Sequence, residues 1–211
     1  MVSAPLAGLY VLTDERLGEN LLPAVAAALA GGARLVQYRD KSADPARRLE
    51  EARSLRRLTR KRGARLIVND DPELASAVAA DGVHLGRDDP DPGRARRLLG
   101  PRAVIGVSCY DSLAQARAAV AAGADYVAFG SVYPSPTKPG AVRAPLPLFA
   151  AAKDELAVPL CAIGGITAGN AAAVAAAGAD LLAVVSAVVF AADPEAAARA
   201  IVERIRPPRG G

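Results

Sequence analysis

Apolar residues along this chain collect in short continuous runs, separated by alanine- and arginine-rich stretches of helical length. The runs fall near 7 to 12, 34 to 38, 65 to 68, 82 to 85, 103 to 107, 125 to 129, 159 to 163 and 180 to 185. Continuous rather than alternating apolarity is how strands of a helix-covered parallel sheet read. The boundaries repeat as well. Gly32-Ala-Arg-Leu-Val-Gln, Gly63-Ala-Arg-Leu-Ile-Val, Gly123-Ala-Asp-Tyr-Val-Ala and Gly178-Ala-Asp-Leu-Leu-Ala each follow a helical run and open a strand, and Asp81-Gly82-Val-His-Leu is a looser fifth copy. Glycine just past a helix end adopts the left-handed conformation cheaply, so each copy predicts a helix-to-strand turn. Helix starts carry Asp-Pro, at Asp44-Pro45, Asp71-Pro72, Asp91-Pro92 and Asp193-Pro194. There the aspartate can cap free amides while proline takes the first helical position. Eight strand-helix units predict a single α/β domain over residues 1–206, a (β/α)8 TIM barrel, with an open doubly wound sheet as the weaker alternative. No linker divides the chain, and 207–211 reads as a flexible tail.

Charge and composition narrow the function classes. The net charge of +4 comes mostly from arginines on helical stretches, among them Arg47, Arg48, Arg53, Arg56, Arg57 and Arg60. Glu50 and Glu51 interleave with them and no aromatic residue stands among them to stack a base, so this is a solvated helix face rather than a nucleic-acid stripe. Cys109 and Cys161 stand in apolar strand contexts with no metal or redox spacing, and read as buried reduced thiols. No uninterrupted apolar run approaches the length of about 18 residues that a membrane span needs. The N-terminus has no basic-then-apolar signal pattern, which makes the cytoplasm the simplest address. A homo-oligomer is compatible with the sequence, which does not fix the oligomeric state.

In a (β/α)8 barrel chemistry gathers at the carboxyl ends of the strands. Gln37, Arg39 and Lys41 follow the second strand with a period of two, which puts them on one face, while Tyr38 and Asp40 take the other. Two cations and an amide aimed together suit a phosphate or pyrophosphate. Asn69-Asp70-Asp71 follows the third strand and Asp88-Asp89 the fourth. Asp71 has a capping role; Asp70 and Asp89 do not, and two carboxylates on adjacent loops suit Mg²⁺ with water and substrate phosphate completing its shell. His84, the only histidine, lies inside an apolar run and reads as a hydrogen-bonded core or rim residue sooner than a base. Ser108 follows the fifth strand with no Gly-x-Ser-x-Gly elbow and no histidine partner available to make it a nucleophile, and can donate to phosphate.

The stretch Gly130 to Arg143 has three prolines, two glycines, three aliphatic hydroxyls and two cations with no apolar period. Loops of this kind inside a compact domain are usually functional. Its Ser135, Thr137 and Lys138 can reach over a barrel mouth, with Gly130 and Gly140 as hinges of a lid. Gly164-Gly165 after the seventh strand and Val185-Ser186 after the eighth are positioned to supply backbone amides to a phosphate.

Taken together, these motifs resemble those of the thiamine-phosphate synthase family. They are Val36-Gln-Tyr-Arg-Asp-Lys41, Ile67-Val-Asn-Asp-Asp71, Asp81-Gly-Val-His-Leu-Gly86 with Asp88-Asp89, Gly106-Val-Ser108, Gly130 to Lys138, Ile163-Gly-Gly-Ile166 and Val185-Ser186. The resemblance implies a transferase of thiamine biosynthesis that joins 4-amino-2-methyl-5-(diphosphooxymethyl)pyrimidine to a plain or carboxylated thiazole phosphate, releasing pyrophosphate by a dissociative route. It implies that Gln37, Tyr38, Arg39, Asp40, Lys41, Asn69, Ser108 and Lys138 bind the pyrimidine diphosphate, with Arg39, Lys41, Lys138 and Ser108 catalytic. Asp70 and Asp89 would hold Mg²⁺, and Ser135, Pro136, Thr137, Gly165, Val185 and Ser186 would bind the thiazole phosphate. Three departures stand out: Ser135 replaces a frequent threonine, Arg87 a frequent glutamine, and Cys109-Tyr110 a frequent Thr-His or Ala-His. The related thiazole tautomerases use a histidine at the place of Tyr110, so they are the weaker match. A catalytically silent phosphate-binding barrel would not need the intact acidic pair and cations.

Overall fold

The apolar runs become eight strands because each must bury both faces, one into the barrel axis and one under the helices. In the computed structural model, which describes residues 6–134 and 142–205, these are β1 (Gly8–Leu12), β2 (Leu35–Tyr38), β3 (Arg65–Asn69), β4 (Gly82–Leu85), β5 (Val104–Tyr110), β6 (Tyr126–Phe129), β7 (Leu160–Ile163) and β8 (Leu181–Val184). They pair in parallel in sequence order, and β1 also pairs with β8, so the sheet is a closed barrel and the open-sheet alternative falls. The helices are α1 (Leu21–Ala30), α2 (Pro45–Lys61), α3 (Pro72–Ala77), α4 (Pro92–Leu99), α5 (Leu113–Ala121), α6 (Pro147–Glu155), α7 (Ala171–Ala176), α8 (Ser186–Val189) and α9 (Pro194–Ile205). Alternate residues separate two cores. Leu9 and Val11 of β1 pack under the helices, whereas Tyr10 and Leu12 join Leu35, Ile67, Tyr126 and Leu181 inside the barrel.

The punctuation works as its chemistry predicts. Asp44, Asp71, Asp91 and Asp193 each accept from the amide three residues on, at 2.8–3.0 Å. At the helix-to-strand turns Gly32 and Gly178 take φ of 109° and 111°. The looser fifth copy differs. Ala79 takes the positive φ there, 50°, while Gly82 lies within β4, where a Cβ would stand 1.8 Å from the Val104 carbonyl oxygen. That glycine serves the close approach of two strands, not a turn. The fifth strand also runs on to Tyr110, past the apolar run, because pairing with β6 across a bulge involves only the backbone of Ser108 and Tyr110.

The amino end of the barrel repeats one clamp. Asp81, Asp125 and Asp180, each just before an even-numbered strand, accept from the amides of Leu66, Ile105 and Leu160 at 2.7 Å. The same carboxylates meet Arg56, Arg96 and Lys153 from the helices α2, α4 and α6. Arginines of α2 are likewise matched by acids: Arg47 by Asp40, Arg48 by Asp71 and Arg57 by Glu50. Cys109 and Cys161 are buried and free, and burial pushes the Cys109 thiol up to about 12. No described helix is long and apolar enough to cross a membrane.

Candidate active site

At the carboxyl end of β2 the period of two divides the side chains as the sequence predicts. Gln37 turns into the barrel, where its Nε2 donates to Tyr10 Oη at 2.8 Å. Tyr38 and Asp40 turn toward α2: the Tyr38 hydroxyl donates to Glu51 at 2.7 Å, and Asp40 accepts from Arg47 at 2.6 Å and from the Ser42 amide at 2.7 Å. Their side chains are therefore not brought to the other site residues. Arg39 is fixed through its backbone, whose amide donates to Thr13 Oγ1 at 2.8 Å while its carbonyl accepts from the same hydroxyl. The Lys41 amide donates to Glu15 at 2.7 Å, and its ammonium pairs with Asp70. Thr13 and Glu15 are thus supports of this loop that sequence reasoning missed.

Asn69 ends β3 in register with His84 of β4. Asp70 follows in the left-handed region at φ 64°, its amide donating to the His84 carbonyl at 2.8 Å. That turn sets its carboxyl beside Asp89, so that each shifts the acidity of the other. Asp89 Oδ2 also accepts from the Gly86 amide at 2.6 Å. The pair splits in acidity. Burial and the Asp70 carboxylate push Asp89 up. Asp70 is also pushed up by burial, but Lys41 and the neighbouring Asp89 outweigh this and leave it low. Among the described residues no group of three or more His, Cys, Asp or Glu side chains gathers. Two neighbouring carboxylates nevertheless form the donor set Mg²⁺ takes when water and phosphate supply the rest.

His84 is held as a core residue. Its Nδ1 lies 2.9 Å from Tyr126 Oη and its Nε2 2.9 Å from Ser108 Oγ, so Ser108 does have a histidine partner, contrary to the sequence expectation, because the closed barrel brings β4 beside β5. Burial pulls its pKa down to about 4, against a small opposite pull from Asp70, so it is neutral. Two of the departures meet each other: the Arg87 guanidinium carbon sits 4.7 Å from the centroid of the Tyr110 ring, and Tyr110 holds φ 55° at the end of β5.

On the far side of the mouth, Gly164 and Gly165 take φ of 108° and 63°. A Cβ on Gly164 would stand 2.7 Å from Ser131 Cα, and one on Gly165 2.6 Å from the Pro134 carbonyl oxygen. The start of the proline loop is thus laid directly on this turn, with Val132 and Tyr133 amides donating to Ile163 and Gly164 at 3.2 and 3.1 Å. Asn170 braces the turn by donating to the Gly165 carbonyl at 2.9 Å. The short α8 begins at Ser186 beside Val185, an extra helix before α9 of the kind that flanks phosphate sites in such barrels. Ser135, Pro136, Thr137 and Lys138, and with them the lid, lie outside the described residues.

Comparison with known proteins agrees with this geometry. Residues 9–188 match the family described as thiamine monophosphate synthase. A thiamine-phosphate synthase of Thioalkalivibrio sulfidiphilus is 59% identical over 196 residues, 92% of this chain and 93% of the relative. One from an Azoarcus species is 58% identical over 190 residues, 90% of this chain and 92% of the relative. The solved thiamine phosphate pyrophosphorylase of Pyrococcus furiosus superimposes with a TM-score of 0.85 at 38% identity, covering 94% of this chain and 95% of its own. A closed barrel with its acids, cations and glycine turn at one mouth, matched over nearly its whole length by such relatives, belongs to the thiamine monophosphate synthase family, transferases of thiamine biosynthesis.

Proposed function

We propose that this mouth binds 4-amino-2-methyl-5-(diphosphooxymethyl)pyrimidine across the β2 to β5 side and a thiazole phosphate across the β6 to β8 side, and joins them with release of pyrophosphate. The observation that carries the reading is the Asp70 and Asp89 pair beside Lys41. Two neighbouring carboxyls beside an ammonium, one of them pushed up by burial and by the other, are where a divalent cation would satisfy both. Asp70 and Asp89 would hold Mg²⁺, which when bound supplies positive charge to the diphosphate.

The chain's own groups divide the remaining work. Arg39, Lys41 and Lys138 stabilise negative charge as it builds on the departing pyrophosphate, the form of catalysis in which preorganised charge meets charge developing in the transition state. Asn69 and Ser108 orient the diphosphate, and Gln37 meets the pyrimidine. Tyr38 and Asp40 act through α2, which holds their loop. Gly165, Val185 and Ser186, with Ser135, Pro136 and Thr137, bind the thiazole phosphate. The amino-pyrimidine delocalises the cation left on its methylene, and the thiazole nitrogen closes the new bond. No protein nucleophile is required, in keeping with the neutral, fully engaged His84. The test is an assay of purified protein with both substrates and Mg²⁺, alongside Asp89→Ala. Thiamine phosphate and pyrophosphate are expected from the parent. The variant is expected to lose turnover and to bind Mg²⁺ more weakly, and unchanged kinetics in it would remove the metal assignment.

A further inference from the structure

Four buried side chains and the half-buried Ser108 form one hydrogen-bonded line through the barrel interior. Gln37 Nε2 donates to Tyr10 Oη at 2.8 Å; Tyr10 Oη lies 3.0 Å from Tyr126 Oη; Tyr126 Oη lies 2.9 Å from His84 Nδ1; and His84 Nε2 lies 2.9 Å from Ser108 Oγ. The line visits β2, β1, β6, β4 and β5 in turn. Both of its ends are residues of the proposed site, while Tyr10, Tyr126 and His84 lie between them. We propose that this line is polarised from Gln37 to Ser108, so that Ser108 turns its hydroxyl hydrogen to the substrate and Tyr10, Tyr126 and His84 are positioning residues of the transfer.

The direction follows from counting hydrogens. A phenol has one, and a neutral imidazole has one N–H. Tyr10 already receives the Gln37 amide hydrogen, so its own goes to Tyr126. Tyr126, thus occupied as an acceptor, gives its hydrogen to His84 Nδ1. An accepting Nδ1 leaves the imidazole proton on Nε2, which donates to Ser108 Oγ. The serine hydrogen is then free to point into the mouth, where a diphosphate oxygen or a pyrimidine ring nitrogen can take it. The reverse polarity would present the Gln37 carbonyl to Tyr10, put the proton on Nδ1 and turn the serine hydrogen inward. Serine lone pairs would then face the substrate's anionic oxygens, which is repulsive.

The surrounding packing holds the line in place. The His84 and Tyr126 rings stack at 5.6 Å with 28° between their planes, and Tyr10 meets Tyr126 edge-on at 6.1 Å. Strand β5 gives up a side chain to seat the ring, because a Cβ on Gly106 would lie 2.0 Å from Tyr126 Cζ.

The consequence for catalysis rests on the proposed placement of the diphosphate at Ser108; the polarity itself does not, and the two are tested separately. His84 is the only histidine in the chain, so protein labelled with 15N-histidine gives a single imidazole spectrum without any ligand. The Nε2–H tautomer is expected at neutral pH, and a predominant Nδ1–H tautomer would overturn the polarity. In turnover, Tyr126→Phe should lower kcat about tenfold with the KM for thiazole phosphate unchanged. In a Ser108→Ala background the same substitution should cost no more than about twofold, since its effect passes through the serine. Equal losses in both backgrounds would show a merely structural role and overturn the proposal. A parent protein that forms no product would instead remove the reaction proposed above, while the tautomer would still decide the polarity.

Discussion

Gly106 shows how much of the site is set by residues that never reach the mouth. Its missing side chain is the space in which the Tyr126 ring stands, with the hydroxyl 2.3 Å from where a Cβ would be. Gly106→Ala forces that ring or the strand to move. Overpacking a filled interior costs about 1–3 kcal/mol, so the denaturant midpoint should fall accordingly. Because the ring carries the hydrogen bond to His84, kcat should fall with it, and an Ala variant with the parent's stability would mean that the interior yields there. The sequence places Gly106 only as part of the Gly-Val-Ser motif. Its partner Tyr126 lies twenty positions away and reads simply as a strand aromatic. The pairing needs the closed barrel, which brings β5 and β6 into register, and no local pattern announces it. His84 was legible because its apolar neighbours predict burial. Its partners were not, since they come from two other strands.

At the level of elements, legibility follows how local the physics is. The Asp-Pro caps act over three residues, and all four hold. Strand limits follow the apolar runs except at β5, where backbone pairing continues under polar side chains. The clamp at the barrel's amino end was half visible. Gly123-Ala-Asp and Gly178-Ala-Asp marked turns, but the aspartate's reach back to the previous odd-numbered strand is a tertiary contact. Asp125 accepts both the Ile105 amide at 2.7 Å and Arg96 at 2.6 Å. Asp125→Ala leaves that amide without its acceptor at the start of β5, a loss of about 1–3 kcal/mol. Because the clamp lies at the end of the barrel opposite the mouth, the expected outcome is a lower melting temperature with the KM for both substrates unchanged. A change in KM would mean that strain passes along β5 to Ser108. Asn in place of Asp should restore part of the loss, since its carbonyl can still accept.

Across the whole molecule, the closed barrel is what turns scattered motifs into one site, and this explains which functional residues the sequence could deliver. Strand order is sequence order, so residues at the ends of successive apolar runs converge without further information, as Asp70 and Asp89 do. What a side chain meets there is another matter: Lys41, read as a phosphate cation, pairs with Asp70, and Arg87 lies on Tyr110. On the proposed assignment the acidic pair would also link Mg²⁺ to global stability. Without metal, Asp89 has a raised pKa in the folded protein. At Asp89 the native state therefore keeps a proton that the unfolded chain has released, and that group's contribution to stability is lost as pH rises from the unfolded aspartate range through the raised folded value, while Asp70, held low, contributes in the opposite sense. Mg²⁺ held there as proposed would displace that proton, so it would bind more tightly as pH rises through the same window and then level off. At about a hundred times its dissociation constant a ligand of the folded state adds about 2.7 kcal/mol, or roughly 5–10 °C in a chain of this size. The melting-temperature gain on adding Mg²⁺ should thus grow from acid toward neutral pH and shrink in Asp89→Ala. A gain independent of pH, or one retained in the variant, would place the cation elsewhere on the protein.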